Sequence, residues 1–177
     1  AAVLGVGTAI YLSEFAARGR LVSMIRTAVN VLAGVPSVVF GLFGLTVFVK
    51  GMNFGVSILS GGLTLALVVM PSVIRAAEEG LASVPSSYRE ASIALGATRW
   101  QTVTRAVLPS AMPGILTGCI LAVGRAAGET APVMLTAATF FTSQLPSSIM
   151  DEVQVLAYHI YALITEGTRP DAQVPIA

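Results

Sequence analysis

The chain has 177 residues, of which 55% are hydrophobic and 11% are charged, with a formal net charge of +1. Because a soluble domain carries about 25% charged residues, too few charges are present to coat a water-facing globule, and much of the surface is expected to face lipid. The small net charge gives no indication of nucleic-acid binding, and the single Cys119 excludes an internal disulfide framework. The first residues, AAVLGVGTAIYL, and the last, QVPIA, suggest a piece cut from a longer membrane protein.

Long stretches without charged residues divide the chain into predicted membrane spans. The charge-free stretches are 27–49, 51–74, 106–124 and 130–150. Since about 20 apolar residues cross a bilayer as a helix, the expected fold is an all-α, polytopic transmembrane helix bundle. The predicted helices are about 1–15 (the tail of a first helix), 28–49, 56–75 and 112–136. Glycines expected to allow close helix packing are Gly34, Gly41, Gly44, Gly61 and Gly62.

The distribution of basic residues predicts which segments lie in the cytoplasm. Arginines concentrate in 16–26 and in 75–105, whereas the segment from about 138 to 172 is mainly acidic. By the positive-inside rule, 16–26 and about 75–110 are expected in the cytoplasm, and the acidic segment is expected outside.

The cytoplasmic segment 76–109 is predicted to fold as two short helices joined by a turn. Ser87 and Glu90 have the spacing of a capping box, and Gly96 is suited to end that first helix in a left-handed conformation. Thr98 and Gln101 repeat the capping-box spacing and predict the start of a second helix. The segment is therefore expected to be a folded unit rather than an open loop.

The two short helices have a surface that another protein could contact. Ala91 contributes to a small-residue face, Trp100 is an aromatic anchor, and the second helix is predicted to run to Leu108. A solvated loop folded against its own membrane domain explains the pattern equally well. A DNA-binding helix-turn-helix does not, because four arginines against three glutamates make too weak a basic patch.

This segment resembles the EAA loop of the permease subunits of ABC importers, whose pattern is E-A-A, three residues, G, nine residues and I-x-L-P. Ser92 replaces the second Ala and Ala106 replaces the Ile. The resemblance implies that the loop is a coupling helix that inserts into a groove of a cytosolic ATPase subunit. The residues expected to couple to that ATPase are Glu90, Ala91, Ser92, Gly96, Ala97, Trp100, Leu108 and Pro109.

Four further stretches are similar to the PstA family of phosphate-specific permeases: YLSEFA, LAGVPSVVFGLFG, LPSAMPGILTG and GRAAGETAPVMLTA. This resemblance implies the type I ABC importer permease (MetI-like) fold, here without the first helix and most of the last. It also implies a second, PstC-like permease, a cytosolic PstB-like ATPase dimer that holds the ATP and Mg²⁺, and an extracytoplasmic phosphate-binding protein. This chain itself is expected to bind no cofactor.

A pair of charged residues inside the last predicted span is the candidate translocation path. Arg125 and Glu129 are four residues apart and would stack on one helix face. Since a charge at bilayer depth costs about 2.5–3.5 kcal/mol, both should face protein or a water-filled path. The forked donors of the Arg125 guanidinium match two oxygens of phosphate. Glu129 could neutralise Arg125 or accept the proton of the substrate. The pair could instead staple two helices, and Thr130 could line the path or bond to its own helix.

Other polar residues give weaker indications. Glu14 and Arg18 are expected to form a surface brace, and His159 lacks companion ligands for a metal. Since neither a GxxxxGK[ST] loop nor a catalytic constellation occurs, the chain is not expected to be an enzyme. The alternatives are a permease for another oxyanion or small polar solute, and a membrane scaffold or sensor subunit that transports nothing. A membrane enzyme ranks behind both.

Overall fold

The computed structural model describes residues 1–17, 19–139 and 145–166, and its secondary structure is helical. Within these ranges the only β-type pairing is an isolated parallel bridge between Ala138 and Val153, which confirms the predicted all-α class. Three helices continue into or out of wider π-helical turns at Tyr11–Phe15, Leu45–Gly51 and Val103–Val107. The α-helices are α1 (Ala2–Ile10), α2 (Arg20–Ala33), α3 (Ser37–Gly44), α4 (Ile58–Ala82), α5 (Ser86–Ala94), α6 (Arg99–Thr102), α7 (Leu108–Gly128), α8 (Ala131–Thr136) and α9 (Leu156–Glu166).

Among the described residues, two continuous helices are long and apolar enough to cross a membrane. They are α4, with 25 residues, and the helix that runs from Arg99 to Gly128, with 30 residues. The segments Arg20–Ala33 and Ser37–Gly51 meet the same test only when taken together.

The predicted single span at 28–49 is interrupted in the structure. α2 ends at Ala33, and α3 begins at Ser37 after Pro36, whose ψ of 138° is extended. A residue that precedes proline is driven out of the α-helical region by contact with the proline ring, so the helix stops before it. The prediction of one continuous helix at 28–49 is therefore wrong.

The other predicted bounds also shift, for two physical reasons. α4 continues to Ala82 instead of ending near 75, because a charged residue ends the apolar stretch but not the helix. The span predicted at 112–136 ends at Gly128, and a separate short helix follows with Pro132 in its first turn. Proline is favoured in the first turn of the new helix, where its missing N–H is not needed.

One compact unit comprises Ala1–Val35 and Ala66–Ala126. Its core is apolar and lies between α1, α4 and the start of α7, where Ala9, Leu81 and Val107 are completely buried. This core supports the ends of the helices from which the α5–α6 segment extends.

A second compact unit comprises Pro36–Leu65 and Ala127–Ala177. In its described part, the first N–H groups of α4 donate to carbonyls of the segment before α9: Ile58 to Asp151 at 3.0 Å and Leu59 to Ile149 at 2.9 Å. Because these N–H groups have no partner within the helix, the chain after α8 completes the hydrogen bonding at the start of α4.

Glycine contacts in this second unit bear out part of the packing prediction. A Cβ on Gly41, Gly44 or Gly61 would lie 3.0 Å or less from an atom of another element. A Cβ on Gly62 would meet no atom within 4 Å in the described part of the chain. Gly34 belongs to the first unit, and among the described residues a Cβ there would meet only the Val31 carbonyl of its own turn. Among the described residues, close packing is therefore confirmed at three of the five glycines and is not found at the other two.

Candidate functional site

The two short helices of the predicted EAA loop are present, with one predicted cap confirmed and the other wrong. α5 begins directly after Pro85, so Ser87 already has helical backbone and its side chain makes no capping bond. α6 begins with a complete capping box: the Gln101 N–H donates to Thr98 Oγ1 at 3.3 Å, and the Thr98 N–H donates to Gln101 Oε1 at 2.9 Å. The turn before α6 is therefore better fixed by side chains than the turn before α5.

Gly96 ends α5 as predicted, in the left-handed region with φ of 82°. The Gly96 N–H donates to the Ile93 carbonyl at 2.9 Å, and the half-buried Ala97 donates its N–H to the Ser92 carbonyl at 3.2 Å. These two bonds are the Schellman arrangement, which satisfies the last carbonyls of a helix. A side chain at residue 96 would be strained because L-residues rarely adopt this φ.

Ser92 departs from the family pattern, and the structure gives the hydroxyl a partner. Its Oγ lies 3.0 Å from Oγ1 of Thr102, which is buried in α6. The hydrogen bond joins the two short helices across their turn, which an alanine at position 92 could not do. Sequence reasoning treated Ser92 only as a small substitute and missed this contact.

The outer surface of the α5–α6 segment is partly apolar. Glu90 and Ala91 are exposed, and the side chains of Leu95 and Trp100 are exposed by 89% and 65%. An open cleft of about 550 Å³ lies beside α5, and its lining residues are Ser87, Tyr88, Ala91, Ser92, Leu95 and Ala106. An exposed apolar surface next to a cleft is typical of a protein-binding site.

Leu108 and Pro109 do not line this cleft. The predicted end of the second helix at Leu108 is wrong, since the helix continues without a break to Gly128. Leu108 packs against the apolar core, and Pro109 is exposed in the first turn of α7. The π-helical turn before Leu108 has hydrogen bonds between residues five apart, just before the proline. Local changes of this kind allow membrane helices to accommodate proline.

Arg89 is a site residue that sequence reasoning missed. Its Nη2 donates to Glu14 Oε1 at 2.6 Å, and its Nε donates to Glu14 Oε2 at 3.3 Å. The predicted partner of Glu14, Arg18, lies outside the described residues. No local pattern could reveal the observed pair, because its members are 75 residues apart in the chain.

Arg125 lies in the last turn of α7 and is exposed. Its Nη1 donates to Oγ of Ser72 on α4 at 3.2 Å. Glu129 and Thr130 are half-buried and follow the end of α7, so the prediction of one helix extending through them is wrong. A guanidinium beside a hydroxyl, on two helices long and apolar enough to cross a membrane, offers several hydrogen-bond donors to an oxyanion.

Comparison with known proteins identifies the family. Residues 1–165 match the family described as "Binding-protein-dependent transport system inner membrane component". The "Probable ABC transporter permease protein YqgI" of Bacillus subtilis is 39% identical over 181 residues, which cover 96% of this chain and 62% of that protein. The "Phosphate transport system permease protein PstA 1" of Mycobacterium tuberculosis is 46% identical over 132 residues, covering 75% of this chain and 43% of that protein.

A third relative, the "Phosphate transport system permease protein PstA" of Xylella fastidiosa, is 37% identical over 134 residues, covering 76% of this chain and 47% of that protein. The chain thus spans between 43% and 62% of the length of these relatives. The family match extends over most of the chain and agrees with the helical structure. The chain therefore belongs to the inner-membrane permease components of binding-protein-dependent ABC transport systems and has their type I permease fold.

Proposed function

We propose that this chain is the part of a permease subunit that forms a translocation path for inorganic phosphate. The observation that carries the proposal is Arg125, an exposed guanidinium at the end of a long apolar helix, hydrogen-bonded to Ser72. The forked donors of a guanidinium match two oxygens of phosphate. Identity of 46% to a protein named as a phosphate permease supports phosphate over other anions.

Glu129 and Thr130 complete the proposed path. Both are half-buried and directly follow the helix that carries Arg125. In the proposed path, Glu129 accepts the proton of a phosphate hydroxyl in a hydrogen bond. This role disfavours sulfate, which has no proton to donate at neutral pH.

The α5–α6 segment is proposed to receive the force of ATP hydrolysis from a partner. Its cleft and exposed apolar side chains, Leu95 and Trp100 among them, support docking of a cytosolic ATPase dimer similar to PstB, which holds the ATP and Mg²⁺. The segments 16–26 and 75–110 then lie in the cytoplasm. A PstC-like second permease, an extracytoplasmic phosphate-binding protein and membrane lipid complete the surroundings of the subunit.

Phosphate uptake by proteoliposomes that contain the full-length subunit in its assembled transporter tests this function. Arg125→Ala should lower uptake about tenfold or more, because hydrogen bonds to a charged group contribute about 1.5–3 kcal/mol. Uptake by Arg125→Lys should lie between that of the unsubstituted transporter and that of Arg125→Ala, since lysine keeps the positive charge but loses the forked donors of the guanidinium. Arg20→Ala, which removes an exposed arginine at the start of α2, is the matched control and should transport normally.

Three results would contradict the proposal in different ways. Uptake of another oxyanion in preference to phosphate would assign a different substrate. Normal uptake by Arg125→Ala would remove Arg125 from the path. A transporter that assembles, hydrolyses ATP and moves no anion would favour a scaffold or sensor subunit.

A further inference from the structure

We propose that the ion pair between Arg89 and Glu14 is the mechanical link through which the α5–α6 segment moves the first helix. The proposal rests on the proposed function, since it assigns a positioning role to two residues within an ATP-driven permease. Arg89 presents two nitrogens to the two oxygens of Glu14, at 2.6 Å and 3.3 Å. A two-point contact of this kind fixes direction as well as distance.

The same guanidinium also holds the end of α4. Nη1 of Arg89 donates to the Val84 carbonyl at 2.8 Å, and Nη2 donates to the Leu81 carbonyl at 3.0 Å. Leu81 lies in the last turn of α4, and Val84 lies two residues beyond its end. Carbonyls at this end of a helix lack a partner within the helix and favour a positive charge. One side chain of α5 therefore contacts the ends of two other helices.

Burial makes this link stronger than an ordinary surface pair. The Arg89 and Glu14 side chains are exposed by 25% and 10%. An exposed pair contributes little because water competes for both partners, whereas removing one partner of a buried pair leaves the other charge without compensation. Loss of either residue should therefore release the contact completely.

A second contact lies next to the first in the chain. Phe15 follows Glu14 and packs against Trp100 of α6, with ring centroids 5.9 Å apart and an interplanar angle of 37°. Both Glu14 and Phe15 belong to the π-helical turn Tyr11–Phe15 that ends the first helix. α5 and α6 thus each hold this turn, so a displacement of the pair is passed to the first helix instead of being absorbed by bending of the segment.

The experiment compares Glu14→Gln, Arg89→Gln and the double variant in the full-length, assembled transporter in proteoliposomes. The quantity measured is phosphate moved per ATP hydrolysed, with assembly yield and melting temperature recorded in parallel. A mechanical link predicts that each single variant still binds the ATPase but that this ratio falls about fivefold or more, as for a lost coupling between sites. The double variant should be no worse than either single variant, because both remove the same contact.

Glu79→Gln and Arg20→Ala are the matched controls, since each changes an exposed residue of the same type and should leave the ratio unchanged. An unchanged ratio in both single variants, even with a lower assembly yield, would reduce the pair to a structural brace and overturn the proposal. Additive losses in the double variant would also overturn it. If Arg89→Gln does not assemble, the result for Glu14→Gln alone tests the mechanical link, because glutamine keeps the shape and one acceptor oxygen of the carboxylate.

A distance measurement separates failure of the link from failure of the proposed function. Spin labels at Tyr11→Cys and Ile93→Cys, both on exposed positions, report the distance between the first helix and α5 in a Cys119→Ala background. If the pair is a mechanical link, the distance between the labels should be the same with and without ATP in the labelled protein that keeps Glu14. In the Glu14→Gln variant, the distance should change when ATP is added. This result does not depend on the transported solute, so a transporter that moves no phosphate would contradict the proposed function alone.

Discussion

Adjacent glycines on α4 allow a direct test of close packing in the second unit. Gly61 is buried, and a Cβ there would overlap Cβ of Ala137, whereas Gly62 is exposed and a Cβ there would meet nothing within 4 Å of the described chain. Gly→Ala favours a helix by about 0.8–1.0 kcal/mol at either position, so this contribution cancels between the two variants. Overpacking costs about 1–3 kcal/mol. Gly61→Ala should therefore be less stable than Gly62→Ala by about 1–3 kcal/mol.

Thermal unfolding of the purified full-length subunit in detergent measures this difference. At about 2–4 °C per kcal/mol for a chain of this size, the melting temperature of Gly61→Ala should lie several degrees below that of Gly62→Ala. The unsubstituted protein, measured beside them, should melt close to or slightly below Gly62→Ala. Equal melting temperatures for the two variants would show that α4 does not approach Ala137 as closely as the structure has it, and would refute the packing argument.

Two further predictions concern side chains that bond to turns. Thr98→Ala should weaken protection of the α6 amides in hydrogen exchange by about 0.5–2 kcal/mol, because it removes the capping side chain. Ser87→Ala should leave protection of the α5 amides unchanged, because Ser87 makes no capping bond. Equal effects of the two substitutions would contradict the difference between the two turns. The pKa of the Asp151 carboxyl lies below its ordinary value of 3.8 because three hydrogen bonds stabilise the charged form. The largest contribution comes from the backbone N–H of Ser147, followed by the backbone N–H of Ser148 and the hydroxyl of Ser147. The stability gained is present above the unfolded pKa and is lost as pH falls through the lower folded pKa. Asp151→Asn should therefore reduce the acid sensitivity of the melting temperature as the pH falls below the ordinary carboxyl value of 3.8, and an unchanged pH dependence would contradict this.

The α5–α6 segment shows how far local sequence rules extend. The left-handed φ at Gly96 and the capping box of Thr98 were predicted correctly because both depend on residues within a few positions of each other. The predicted cap at Ser87 failed because the N-cap is Pro85, two residues earlier, so two local signals competed and the proline prevailed. The predicted helix end at Leu108 failed because the π-helical turn Val103–Val107 accommodates Pro109, so the helix continues to Gly128.

Patterns in the sequence by themselves determined the all-helical class, the apolar nature of the spans, the existence of a folded segment between them and the presence of Arg125 in an apolar helix. Each of these follows from composition or from spacing within one helix, where geometry is set by the backbone alone. Only the tertiary structure decided that Glu14 pairs with Arg89, that Ser72 meets Arg125, and that Gly61 rather than Gly62 packs tightly. These contacts join residues far apart in the chain, and their geometry depends on how whole helices pack, which no local pattern specifies.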